Sequence, residues 1–194
     1  VPDKASTDTP AQDSVLLANG DEALGRIGAA TPEALQLESE VGLLDLPAFV
    51  RFVAAQNFLA ETDGFLGKFG INNFYLYRLE NRSLHTLIMW DADNTFYAAD
   101  LPTNDWGVGT TLMEKLMSLP EYAELYRAEL ARAVELAEAD GWLDTEIIRQ
   151  VQRIDSAMRE DPAKPFSEST YEAAAGAMLT FARARIRFVK CELA

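Results

Sequence analysis

Soft metal ligands are nearly missing from this sequence: its 194 residues include one cysteine, Cys191, and one histidine, His85. A lone cysteine cannot close an intramolecular disulfide, and with a single histidine it cannot complete a Cys/His zinc cage. No window approaches the roughly 20 apolar residues that a membrane-spanning helix requires. Positive charge is also scarce, with 17 Lys and Arg against 31 Asp and Glu, for a net charge of −14. Such an exterior repels polyphosphate backbones and anionic membrane surfaces, which argues against a nucleic-acid partner. Any metal chemistry must rest on oxygen ligands.

What is present is ordinary for a globular protein. Hydrophobic residues at 48% and charged residues at 25% exclude a wholly disordered chain, because enough apolar surface is available to offset the entropy of folding. The length suits one sizeable core. The start at Val1, without an initiator Met or a signal-peptide pattern, reads as a processed or trimmed piece of a longer protein. Residues 1–13, VPDKASTDTPAQD, read as a flexible linker and residues 14–194 as a single domain.

Short helical segments are expected at residues 21–27 and 32–41. The run LDLPAFVRFVAAQNFLAETDG places Asp45 as a cap and Pro47 in the first turn of a helix ending near Thr62, with Phe49, Val50, Val53, Ala54 and Phe58 on one side. From Pro120 the pattern is helical: Tyr122, Leu125, Tyr126, Leu130, Ala133, Val134 and Ala137 form a stripe that Gly141 stops. Asp144 is the expected cap of the next helix, with Ile147, Val151, Ile154 and Met158 on one face, broken by DPAKP. A last helix from Ser167 carries Tyr171, Ala175, Met178, Leu179, Ala182, Ile186 and Val189, expected to run through the centre of the core. The fold class is therefore α+β, mainly α: a helical bundle with one central β-hairpin at about residues 73–90.

That hairpin is NFYLYRL and LHTLIMW around the turn Glu80, Asn81, Arg82, Ser83. Pairing Leu79 with Leu84 sets Asn73 opposite Trp90 and Asn72 opposite Asp91. The polar ends of the two strands then meet beside Asp63 and Gly64, where the preceding helix stops. Asp91, Asp93 and Asn94 leave the second strand at the same edge. Such a convergence of carboxylates and amides suits a hard divalent cation, and phosphoryl transfer uses metal-binding Asp and Asn with a separate Asp that positions the attacking hydroxyl.

The run LDLPAFVRFVAAQNFLAETDGF, then NNFYLYR, then MWDADNTF resembles the CotH kinase family, which is related to atypical protein kinases. MEKLMSLPEYAELYRAEL and FARARIRFV extend the likeness, so it spans roughly residues 45–189. The resemblance implies the C-terminal lobe of an atypical protein kinase. It implies Asp63 as the catalytic residue, Asp91 as the metal-binding Asp, and Asn73 in metal or phosphate binding, with Asn72 and Asp93 as further candidates. The cofactors implied are Mg²⁺ or Mn²⁺ and ATP in the complete parent, the partner a protein substrate, and the location the spore or cell envelope, outside the cytoplasm.

The pattern departs from ordinary kinases in having no HRD before Asp63. A complete kinase also needs a β-rich lobe with a phosphate-binding lysine paired to a glutamate, and nothing before Asp45 reads as one. The N-terminal lobe is thus expected to be a missing partner, and apolar surface left by its absence would favour self-association. Lys68 reads as a solvated loop lysine. DADNTF fails the EF-hand pattern, since the places for Gly and Glu hold Phe96 and Pro102. His85 and Cys191 read as structural residues, Cys191 as a small core side chain, the sequon at Asn81 as turn chemistry, and Arg183, Arg185 and Arg187 as a solvated face. Trp90 and Trp106 are expected to wall the site. The rival to a kinase lobe is a non-catalytic structural or partner-binding module of a coat or envelope assembly. A third reading is a calcium-stabilised carbohydrate-associated domain.

Overall fold

The computed structural model describes residues 13–16, 22–30, 34–38, 43–69, 71–78, 84–104 and 111–194. Strands β1 (Asp13–Leu16), β2 (Glu22–Ala30), β3 (Ala34–Glu38) and β4 (Leu43–Asp45) come first. Helix α1 (Leu46–Phe58), the hairpin strands β5 (Phe74–Arg78) and β6 (Leu84–Met89), and helices α2 (Thr111–Met117), α3 (Pro120–Glu138), α4 (Trp142–Glu160) and α5 (Glu168–Leu193) follow. The architecture is α+β and mainly α, as the sequence indicates.

The hairpin has the expected register: Phe74 pairs with Met89 and Arg78 with His85. Continuing that count sets Asn73 against Trp90, and the Trp90 N–H donates to the Asn73 carbonyl at 3.0 Å. The turn that joins the strands, with Asn81, lies outside the described residues, as does Trp106.

The hairpin is not isolated. It forms one edge of a six-stranded sheet in the order β1, β2, β3, β4, β6, β5, in which β4 runs parallel to β6 and all other neighbours are antiparallel. The helices expected at 21–27 and 32–41 are therefore replaced by strands, and a β-rich stretch does precede Asp45. The physical reason is that Gly25 and Gly28 weaken a helix in the first segment, short helices are marginal alone, and pairing Ile27 with Leu37 satisfies both backbones at once. Most of the stretch expected to be a linker falls outside the described residues, while Asp13 begins β1.

Helix α1 begins as expected, with the Asp45 carboxylate accepting the Ala48 N–H at 2.9 Å and Pro47 in the first turn. It ends at Phe58 rather than near Thr62, because Ala60 takes a left-handed backbone, φ 52°. Phe49, Val50, Val53 and Ala54 are fully or almost fully buried, each large apolar side chain contributing roughly 1.5–3 kcal/mol by its removal from water. A chain of edge-on aromatic rings then fixes the following loop: Phe49 meets Phe65 at 5.0 Å and Phe65 meets Phe74 at 5.1 Å.

Helix α3 lies against α1 and α5, with Tyr122, Tyr126, Leu130, Val134 and Ala137 of the predicted stripe buried and Leu125 and Ala133 partly buried. Gly141, at φ 65°, caps α4; Asp144 sits inside its first turn and accepts from Arg183 Nε at 2.6 Å. Ser167 caps α5 by accepting the Thr170 N–H. Only the second half of α5 enters the core. Ala182, Ile186 and Val189 are buried, whereas Met178 is 40% exposed and borders an open groove between α4 and α5. Cys191 is exposed, one position beyond that buried face, and is no core residue.

Candidate functional site

The site forms where the end of α1 meets the open end of the hairpin. The Asp63 carboxylate accepts one hydrogen bond on each oxygen, from Asn72 Nδ2 at 3.1 Å and from Asn73 Nδ2 at 3.0 Å. Asn73 Nδ2 also donates to the Asp63 carbonyl at 2.8 Å. Two consecutive amides at the start of a strand thus grip one aspartate nine and ten residues upstream. A carboxylate oxygen offers about two lone-pair directions, so each oxygen keeps one free for a further donor.

The pairing of β6 ends at Met89, two residues before Asp91, which is exposed. Asp91 and Asn73 both adopt left-handed backbones, φ 48° and 54°, a conformation that Asn and Asp enter most readily among residues with a Cβ. Here it turns both chains out of the sheet where their polar side chains are needed. Ala60 and Phe96 share this conformation, φ 52° and 63°, without that chemical ease, and such strain concentrates at functional sites. The two strained segments are tied together, Phe96 N–H donating to the Leu59 carbonyl at 2.8 Å.

The loop between α1 and β5 has no room for side chains at Gly64 and Gly67. A Cβ on Gly64 would lie 2.5 Å from Gln56 Nε2, and one on Gly67 would lie 2.3 Å from the Thr62 carbonyl oxygen. The loop closes on itself through Gly67 N–H to the Gly64 carbonyl and Lys68 N–H to the Thr62 carbonyl, 3.1 and 2.8 Å. Gln56 Oε1 accepts the Phe65 N–H at 3.1 Å. Lys68 is exposed, with its ammonium 5.0 Å from the centre of the Tyr97 ring. Trp90 is also exposed and meets Tyr75 edge-on at 5.8 Å, facing outward from the hairpin.

Beneath the loop lies a buried arginine that sequence reasoning placed on a solvated face. Arg185 is 0% exposed. Its guanidinium donates to the carbonyls of Asn57 at 2.5 Å, Phe58 at 3.0 Å and Ala99 at 3.0 Å, and also to that of Leu101. It therefore takes up the carbonyl end of α1 and the loop after Asp91 together, where a cation also complements the helix dipole. Burial pushes its pKa down, opposed by the charge of Glu192. The signal was present in the sequence: Arg185 shares the spacing of Met178, Ala182 and Val189 and so points to the core. Asn57 continues the network, donating to Tyr126 Oη at 2.7 Å and the Thr103 carbonyl at 3.0 Å, and burial raises the Tyr126 phenol.

Glu61 was also missed. It is 5% exposed, and its Oε1 accepts the Asp63 N–H at 2.7 Å. Burial pushes its carboxyl above the ordinary range, opposed by the Asp63 N–H and reinforced by the charges of Asp63 and Asp93.

Of the residues predicted for the site, Asp63, Asn72 and Asn73 are in direct contact, while Asp91 lies two residues past the last paired residue of β6. Asp93 is exposed and accepts from Asn94 Nδ2 at 2.8 Å. Among the described residues no group of three or more His, Cys, Asp or Glu stands ready to hold a metal. The donors at this edge are nonetheless all oxygens, which fits an ion such as Mg²⁺ that relies on one or two carboxylates and completes its shell with water and phosphate oxygens.

The body is mainly helical α+β, with a hairpin that presents two amides to an aspartate beside a helix end, and its class as a kinase-like protein comes from its family. A family model described as CotH kinase protein matches residues 36–189, and the chain belongs to the CotH kinase family. No curated protein matches the chain. Among the described residues no helix is long and apolar enough to cross a membrane.

Proposed function

We propose that this chain is the C-terminal, metal-binding lobe of a CotH-type kinase that transfers phosphate from ATP to Ser or Thr hydroxyls of a protein substrate. The observation that carries the reading is the Asp63 carboxylate held by Asn72 and Asn73 at the open end of the hairpin. In this reading Asp63 orients the acceptor hydroxyl and takes its proton as that oxygen attacks the γ-phosphorus and the bond to ADP breaks. Asn72 and Asn73 fix the carboxylate so that its remaining lone pairs face the acceptor. Asp91 and Asp93, with the Asn73 amide oxygen, are the ligands for Mg²⁺ or Mn²⁺. The bound ion would supply charge neutralisation at the phosphates.

The strands before α1 contain no lysine, and none occurs between Lys4 and Lys68. The phosphate-gripping lysine is therefore assigned to a lobe outside residues 13–45. The envelope or spore coat is the proposed place of action.

The test is phosphate transfer from labelled ATP by the longest reading frame that contains this chain. Asp63→Asn and Asp91→Asn should each lower turnover by about 10³-fold or more, with the fold retained by circular dichroism. Transfer unchanged in both variants would remove the assignment. Mg²⁺ with a non-hydrolysable ATP analogue should raise Tm by binding the native state, and the absence of both transfer and stabilisation would favour a partner-binding module.

A further inference from the structure

Glu61 lies two residues before Asp63, in the strained turn that ends α1, and it is nine-tenths buried with one oxygen already committed. Its Oε1 accepts the Asp63 N–H at 2.7 Å. Its Oε2 is buried and has no hydrogen-bonding partner among the described residues, and the same holds for Oγ1 of the adjacent Thr62, which is 2% exposed. Both residues line a small, partly open pocket of about 10 Å³ with Asn57, Leu66, Gly67, Lys68 and Leu101. That volume suits one water molecule, which needs two or more polar partners to be held.

Burying a carboxyl group in a turn is costly unless its oxygens are satisfied, and a plain turn would place a small or apolar residue here. We propose that Glu61 is a positioning residue for Asp63: Oε1 fixes the Asp63 backbone, while Oε2 and Thr62 Oγ1 hold one water in the pocket that locks the Glu61 side chain from behind. Asp63 is then gripped at three points: its N–H by Glu61, its carbonyl by Asn73, and its carboxylate by Asn72 and Asn73. The three grips leave little freedom in the direction of its open lone pairs. A displacement near 1 Å of a group that must meet an acceptor hydroxyl costs about 10²-fold in rate.

This inference rests on the kinase reading for its effect on rate, but the clamp itself can be measured without activity. In the full reading frame, Glu61→Met keeps the side-chain length without an acceptor, and Glu61→Gln keeps an oxygen at Oε1. Glu61→Met should lower kcat about 10²-fold with KM for ATP within about threefold, and Glu61→Gln should recover most of that loss. Hydrogen exchange of the Asp63 amide, read by NMR, should accelerate at least tenfold in Glu61→Met and stay near the wild-type rate in Glu61→Gln, while the Lys68 amide remains protected in both. An Asp63 amide whose exchange is unchanged in Glu61→Met overturns the clamp, as does an equal kcat loss in both variants. If the wild-type protein transfers no phosphate while the exchange pattern holds, the kinase reading fails and the clamp stands.

Discussion

The two ends of the helical body are built by different rules. Around Asp63 the chain buries polar atoms, crowds glycines and strains its backbone: Arg185, Gln56, Thr62 and Glu61 are all 5% exposed or less, and Ala60 and Phe96 hold left-handed φ angles. Along the outer halves of α4 and α5 the chain follows simple periodicity. Apolar residues there line an open groove of about 340 Å³ that includes Ile154, Tyr171 and Met178. Charges sit on the surface, as where Arg159 bridges Asp155, Glu168 and Glu172 at 3.0–3.1 Å, and exposed pairs of this kind contribute little. The contrast teaches where precision is needed. A helical surface tolerates change because its interactions are many and separately weak, whereas the Asp63 end concentrates a few strong, geometrically exact contacts.

The largest expected effect on stability is at Arg185. Arg185→Met removes the donors to four backbone carbonyls without shortening the side chain much. Each buried acceptor left without a partner costs about 1–3 kcal/mol, and with relaxation the total should be about 4 kcal/mol. Urea unfolding should show this as a large fall in midpoint, while Arg187→Met, on the exposed side of the same helix, leaves it unchanged. A loss below about 1 kcal/mol for Arg185→Met would break the comparison.

A single type of substitution can sharpen it, because glycines at the two ends face opposite surroundings. Gly64→Ala forces a methyl group to 2.5 Å from Gln56 Nε2 and 2.9 Å from Glu61 Cγ, and overpacking of this kind costs about 1–3 kcal/mol. Gly176→Ala on α5 meets nothing within 4 Å. It should stabilise by up to about 1 kcal/mol through helix propensity. Thermal unfolding of the two variants should therefore move Tm in opposite directions, and equal shifts would show that the loop is looser than its contacts imply.

The same contrast explains what could be read in advance. Periodic apolar stripes and caps marked α1, α3 and α5 because a long helix repeats its signal every turn, and alternation marked the hairpin and its register. The contact of Asp63 with Asn72 and Asn73 was legible because the end of α1 and the start of the hairpin could both be located in the sequence, whereas Asp91 lies past the paired residues of β6. The strands over 22–30 and 34–38 were not, since their extended form is set by pairing with each other and, through β4, with the hairpin. Glu61 was illegible for another reason: a glutamate at a helix end is ordinary on a surface, and only three-dimensional packing shows that it is buried. Arg185 stood between these cases, its position on the buried stripe visible but outweighed by its charge.

The smallest effect, and the one that probes Glu61 most directly, is on pH dependence. Burial raises its carboxyl pKa in the folded state, with the charges of Asp63 and Asp93 adding to the shift and the Asp63 and Thr62 backbone N–H groups opposing it. The unfolded chain should titrate near the ordinary glutamate value of about 4.3. The folded state therefore binds the proton more tightly, so this group favours folding fully below the unfolded pKa and loses that contribution as pH rises through the folded pKa. Glu61→Gln removes the titration and keeps an acceptor for the Asp63 N–H. Unfolding midpoints in urea should thus show wild type losing stability relative to Glu61→Gln between acid and neutral pH, with the difference flat thereafter. The matching comparison at the other end is Glu168→Gln on exposed α5, where no such buried carboxyl is involved. A pH-independent difference between wild type and Glu61→Gln would mean that Glu61 is solvated, and the distinction between a precise end and a tolerant one would then rest on Arg185 and the glycines alone.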